Sequence, residues 1–179
     1  MREAFENILI VAGSGRNCGK TSFICSLIKQ HQSLGLVAIK ITPHFHEPTE
    51  GLDILIDHSS YRIFKEENRT SEKDSSRYLQ AGAVEAYFIQ VKDDYLEEAF
   101  RYVYPLTRKE QAIVIESAAL AKFIKPSLFL FIQKENESVK LSVENVLPFA
   151  DHIVRSNGES FDLNQEQIIF NGRWKIREL

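Results

Sequence analysis

Cysteine is nearly missing: Cys18 and Cys25 are the two in 179 residues. Two thiols this close in the chain exclude a disulfide scaffold, so a reduced compartment, the cytoplasm, is expected. Also missing is any apolar run near the roughly 18 residues that cross a bilayer, which predicts no membrane partner. Met1–Asn7 lacks the apolar core of a secretory leader and runs straight into a strand-like stretch. No charge of one sign dominates. The 22 basic and 25 acidic residues are well mixed and leave a net charge of −3, which predicts no nucleic-acid partner held by bulk electrostatics. Repeats and low-complexity segments are absent too. With 44% hydrophobic residues, the chain suits a single domain over 1–179 with a sizeable core.

Glycine is sparse, with eight residues, yet three stand close together in Gly13-Ser14-Gly15-Arg16-Asn17-Cys18-Gly19-Lys20-Thr21. The apolar run Ile8–Ala12 precedes this stretch and a helical pattern follows it. Strand, glycine loop and helix are the setting in which Gly-Lys-Thr binds a nucleotide phosphate. Glycines let the backbone curl with its N–H groups inward, and the helix N-terminus adds positive potential. Lys20 can reach the outer phosphates, and the Thr21 hydroxyl can ligate Mg²⁺. The strict spacing asks for glycine at position 14, where this chain has Ser14 flanked by Gly13 and Gly15. The alternative is an ordinary strand-to-helix turn with a solvated lysine.

Periodicity organises the rest. Residues 7–12, Leu36–Ile41, Glu85–Val91, Ala112–Glu116, Leu128–Ile132 and His152–Arg155 read as strands. Helices are predicted over Lys20 to about Gln32, Asp74–Ala81, Asp93–Tyr102 and Ser142–Phe149, with Gly35 a C-cap candidate after the first. Residues 43–72 read as a long loop insertion at the ligand edge, in which Asp53 to Phe64 holds at most a short helix or strand. Gln167–Gly172 resembles a terminal hairpin edge. Alternating strands and helices predict an α/β fold of three layers with a mostly parallel sheet.

Several residues carry candidate chemistry. Glu116 ends an apolar strand, where a carboxylate sits beside the glycine loop if the two strands are neighbours. It is a candidate catalytic and metal-shell residue, or else a strand-end acid facing water. Lys40 ends the second strand and either contacts phosphate or substrate, or snorkels to solvent. Asp74 either caps a helix or faces the metal cleft, with Arg77 one turn later for an anion or a surface salt bridge. Arg16 is a candidate for phosphate charge, with a solvated arginine as the alternative. Cys18 reads as a loop filler rather than a redox sensor, and Cys25 as a core residue. His44, His46 and Glu47 form a His-x-His-Glu pattern that serves a metal, a ligand, or neither. Asn157, before Gly158, either reads a purine base or makes a turn. The nucleotide-binding candidates are therefore Gly13, Ser14, Gly15, Arg16, Asn17, Cys18, Gly19, Lys20, Thr21 and Ser22, joined by Lys40 and Asn157. Lys20 and Glu116 are the catalytic candidates, and Thr21, Glu116 and Asp74 the metal candidates.

With these residues in hand, the chain resembles the MobB family, P-loop proteins linked to molybdopterin guanine dinucleotide biosynthesis. The resemblance rests on Gly19–Ser22, on Lys40–His46 and on Lys73-Asp74-Ser75…Ala81-Gly82-Ala83, and covers roughly residues 7–132. It implies a P-loop NTPase fold, binding of a nucleotide, usually GTP, with Mg²⁺, and weak hydrolysis, while the residues themselves leave GTP or ATP open. It also implies a homodimer and an accessory role beside a cofactor-biosynthesis enzyme. Ser14 and Ser117 depart from that family's pattern. The longer loop from Gly13 to Thr21 is similar to that of dethiobiotin synthetase, a related ATP-dependent ligase, which would place Lys40 on an acidic substrate. A nucleotide-dependent switch or adaptor is a third expectation.

Overall fold

The structure is a computed structural model that describes residues 1–15, 17–139 and 141–177. Its main sheet contains β1 (Glu3–Gly13), β2 (Val37–Thr42), β3 (Leu52–His58), β4 (Tyr61–Glu66), β5 (Glu85–Val91), β6 (Ile113–Glu116), β7 (Ile124–Lys134) and β8 (His152–Ser156). Their spatial order is β3-β4-β5-β2-β6-β1-β7-β8. From β5 to β8 the neighbours pair parallel, and β4 runs antiparallel to both β3 and β5.

The strand period of two divides the core. Along β1, Ile8, Ile10 and Ala12 enter one cluster, and Leu9 and Val11 enter the other. On the second face lies α1 (Lys20–Gln30), whose Phe23, Ile24, Leu27 and Ile28 are buried at helical spacing. It is joined there by α2 (Asp74–Ala81), through Tyr78 and Leu79. The first face is covered by α3 (Leu96–Val103), through Leu96, Ala99, Phe100 and Val103, and by Val143 of α4 (Leu141–Glu144). Helices on both faces of a mostly parallel sheet make the three-layer α/β fold that the alternation predicts.

Local differences from the sequence reading have physical causes. The segment 43–72 is not one long loop, because β3 and β4 form an antiparallel hairpin that extends the sheet. Its outer strand has a neighbour on one side only, so charged and exposed residues such as Asp53 and Ile54 are tolerated there and mask the strand pattern. The predicted helix at Asp93 starts as a 3₁₀ turn, Asp93–Tyr95, before α3. The one predicted from Ser142 is only α4 followed by a separate 3₁₀ turn, Leu147–Phe149, where Pro148 has no N–H to continue the ladder. Gly35, at φ +60°, closes a 3₁₀ turn after α1 rather than α1 itself. The terminal hairpin, β9 (Ile168–Phe170) with β10 (Trp174–Ile176), does not lengthen the sheet edge. It packs on the face that carries α1, where Trp174 is fully buried and its indole N–H donates to the Asn7 carbonyl at 3.1 Å. Among the described residues no helix is long and apolar enough to cross a membrane.

Candidate functional site

The turn after β1 is held closed by small residues. A Cβ on Gly13 would meet Cys18 Sγ at 2.5 Å and the Ile132 carbonyl at 3.0 Å. Cys18 is fully buried beneath the turn, which agrees with a filler, while Cys25 is only partly buried. Ser14 is tied to the end of β7: its N–H donates to the Ile132 carbonyl at 2.9 Å, and its hydroxyl accepts from the Lys134 N–H at 3.2 Å. Its φ is not positive, so serine can stand there without backbone strain. Left-handed geometry falls instead on Asn17, φ 59°, and on Gly19, φ 97°, which is the N-cap of α1. No side chain caps that helix, and its first N–H groups have no acceptor within it, so they remain for an outside anion. Arg16 lies outside the described residues.

At the acid end, strand order does the assembling. β6 lies between β1 and β2, and Glu116 is in register with Val11 on one side and Lys40 on the other. Lys40 Nζ is 2.5 Å from Glu116 Oε1 and 2.9 Å from Asp74 Oδ2. Thr21 Oγ1, in the first turn of α1, lies 3.0 Å from Asp74 Oδ1 and 3.3 Å from Glu116 Oε2, so its one proton serves one carboxylate at a time. The Tyr78 hydroxyl donates to Glu116 Oε2.

Electrostatics follow from this packing. Burial presses the Lys40 ammonium pKa down, but the charges of Glu116 and Asp74 outweigh it and hold it above the ordinary value. Burial likewise pushes Asp74 up, and Lys40, with hydrogen bonds from Lys40 and Thr21, brings it below the ordinary carboxylate value. Tyr78 is raised well above a free phenol, first by burial and then by the Glu116 charge.

Of its two expected roles, Asp74 takes the one that faces the cleft and not that of a helix cap. Lys73 occupies the N-cap position, and the Asp74 side chain turns across to Thr21 and Lys40. Tyr78 escaped the sequence reading. Its spacing of four from Asp74, which puts both on one face of α2, is the signal that could have found it.

Loop and acids line one groove of about 680 Å³, shared by Gly15, Lys20, Thr21, Lys40, Asp74 and Glu116. Gly13, Asn17, Gly19, Ser22 and Arg77 also border it. Lys20 is folded over its own loop, donating to the Gly15 carbonyl at 2.6 Å and lying 3.5 Å from Cys18 Sγ. Asn157 does not line the groove. Its Oδ1 accepts from the N–H groups of Glu159 and Ser160 in a local turn, and the adjacent Gly158 borders the groove instead. A side pocket of about 220 Å³ shares Lys40, Thr42 and Asp74 with the groove and is walled by His46, Leu52 and Phe88.

The donors around Thr21 are all oxygen, from a hydroxyl and two carboxylates, and this chemistry fits Mg²⁺. Among the described residues no group of three or more His, Cys, Asp and Glu could hold a metal alone, so His44, His46 and Glu47 do not assemble one. A Mg²⁺ here would complete its shell with phosphate and water oxygens. Compared with protein-family models, with curated proteins and with solved structures, the chain matches none.

Proposed function

We propose that the chain binds a purine nucleoside triphosphate, GTP or ATP, together with Mg²⁺ and hydrolyses it slowly. By its resemblance, it would serve as an accessory protein, as a homodimer, in attaching GMP to molybdopterin. One observation carries the nucleotide reading. The uncapped start of α1 with Lys20, and the Thr21–Asp74–Glu116 oxygens, border a single groove.

The chain's own groups divide the work. Amides from the glycine turn and the first turn of α1 hold phosphate oxygens. Lys20 leaves the Gly15 carbonyl for the outer phosphates. Thr21 donates its proton to Asp74 and keeps its lone pairs for the cation. Glu116, held by Tyr78 at Oε2, and Asp74, bonded to Thr21 at Oδ1, would each turn the other carboxylate oxygen to the cation. Bound Mg²⁺ supplies neutralisation of phosphate charge. The rate would come from positioning and electrostatics, with no covalent intermediate on the protein.

The test is titration with labelled GTP and ATP in Mg²⁺. Lys20→Ala should lose at least about tenfold in affinity, as expected for a charged phosphate contact. Unchanged affinity in this variant would sink the reading.

The side pocket favours a second reading, an ATP-dependent ligase similar to dethiobiotin synthetase. There Lys40 would stand between the terminal phosphate and an acidic substrate lying on Leu52 and Phe88. Product formed from a diaminated acid, bicarbonate and ATP would support it. No turnover with such substrates would remove it.

A further inference from the structure

We infer that the Lys40 ammonium is the resident counter-ion of the cation site, and that a divalent cation enters only as Lys40 leaves. The inference rests on the reading above in that Thr21, Asp74 and Glu116 are taken as the oxygens meeting the cation.

All four carboxylate oxygens are engaged. Lys40 Nζ bridges Glu116 Oε1 and Asp74 Oδ2. Thr21 reaches Asp74 Oδ1, and Glu116 Oε2 is approached by Tyr78 and Thr21. The Glu116 side chain is 4% exposed and that of Lys40 18%, so water cannot replace the ammonium freely. Two carboxylates this close repel each other, and a cation between them relieves that cost. Lys40 is placed to supply it, because β2 sets it in register with Glu116.

A divalent cation needs the oxygens that Nζ now holds, and two positive centres cannot share them. Lys40 has somewhere to go, since it borders both the phosphate groove and the side pocket. A terminal phosphate would give the displaced ammonium a new partner. Cation and nucleotide therefore enter together, and the cation alone binds weakly. Lys40 is a positioning residue here, with an effect on metal binding that a merely structural lysine would not have.

The experiment uses the whole chain without nucleotide and Mn²⁺ as the probe, followed by its electron paramagnetic resonance signal. Wild type and Lys40→Arg should bind Mn²⁺ weakly. Lys40→Met should bind about tenfold tighter or more, the scale of one charge interaction at this range. The double variant K40M/D74N should return to weak binding, which ties the gain to this site. Equal affinity in K40M and wild type overturns the inference, as does tight binding by K40R. If circular dichroism shows K40M unfolded, Lys40→Gln, which keeps hydrogen-bond donors, carries the same two outcomes. Failure of wild type to bind GTP or ATP would instead sink the nucleotide reading, and it is measured separately.

Discussion

Gly19 lies against the ring of Phe161, and a Cβ on Gly19 would come within 2.9 Å of that ring's Cζ. Phe161 also meets Phe23 of α1 edge to face, at 5.0 Å between centroids. The segment after β8 therefore clamps the start of α1. Gly19→Ala faces both this contact and a φ of +97°. The expected loss of stability is about 1–3 kcal/mol, read from urea unfolding. Measured in a Phe161→Ala background, the same Gly19→Ala change should cost less but still something, because the contact is gone and the backbone strain remains.

Tyr78 is fully buried, and its hydroxyl donates to Glu116. Tyr78→Phe leaves that carboxylate oxygen with Thr21 alone. A hydrogen bond to a buried charged group is worth about 1.5–3 kcal/mol, and a loss of that size is expected in chemical denaturation. A negligible change would mean that Thr21 satisfies Glu116 unaided.

The Lys40–Asp74 pair sets a pH dependence. The Asp74 pKa is lowered on folding, so its contribution is full above the ordinary value of 3.8 and fades as pH falls through the lower folded value. The Lys40 pKa is raised, so its contribution is full below 10.5 and fades as pH rises through the higher folded value. Between about pH 5 and 9 the stability difference between wild type and Asp74→Asn should stay flat, and it should shrink below about pH 4. Urea midpoints across that range check this. A difference that grew on acidification would contradict it.

Trp174 anchors the C-terminal hairpin to the sheet through its burial and its bond to the Asn7 carbonyl. Trp174→Ala should cost about 3–5 kcal/mol. Trp174→Phe should cost less, mainly about 1–3 kcal/mol for the unpaired carbonyl. Thermal unfolding separates the two, and equal losses would show that the indole hydrogen bond, missing from both variants, outweighs ring volume.

Much of the fold was legible because its signals are short-ranged. The predicted bounds of α2 and β5 coincide with the observed Asp74–Ala81 and Glu85–Val91, where apolar spacing and a glycine stop lie within a few residues of each other. The β3–β4 hairpin was not legible. An edge strand buries too little of its side chains to enforce alternation, and Ile54 stands 55% exposed. Asp74 was legible only as a choice between a helix cap and the metal cleft. A carboxylate at the start of a helix suits a cap, and only the neighbouring α1 and β2 draw it to Thr21 and Lys40.

Taken alone, the chain determined its alternating strands and helices, the glycine turn before α1, and Glu116 at a strand end. These depend on backbone freedom and side-chain period over a few residues. The tertiary structure decided that β6 enters between β1 and β2, and with it that Lys40, Thr21 and Tyr78 converge on Glu116, and Lys40 and Thr21 on Asp74. Strand order is chosen by how whole faces pack across a sheet, at sequence separations that no local pattern records.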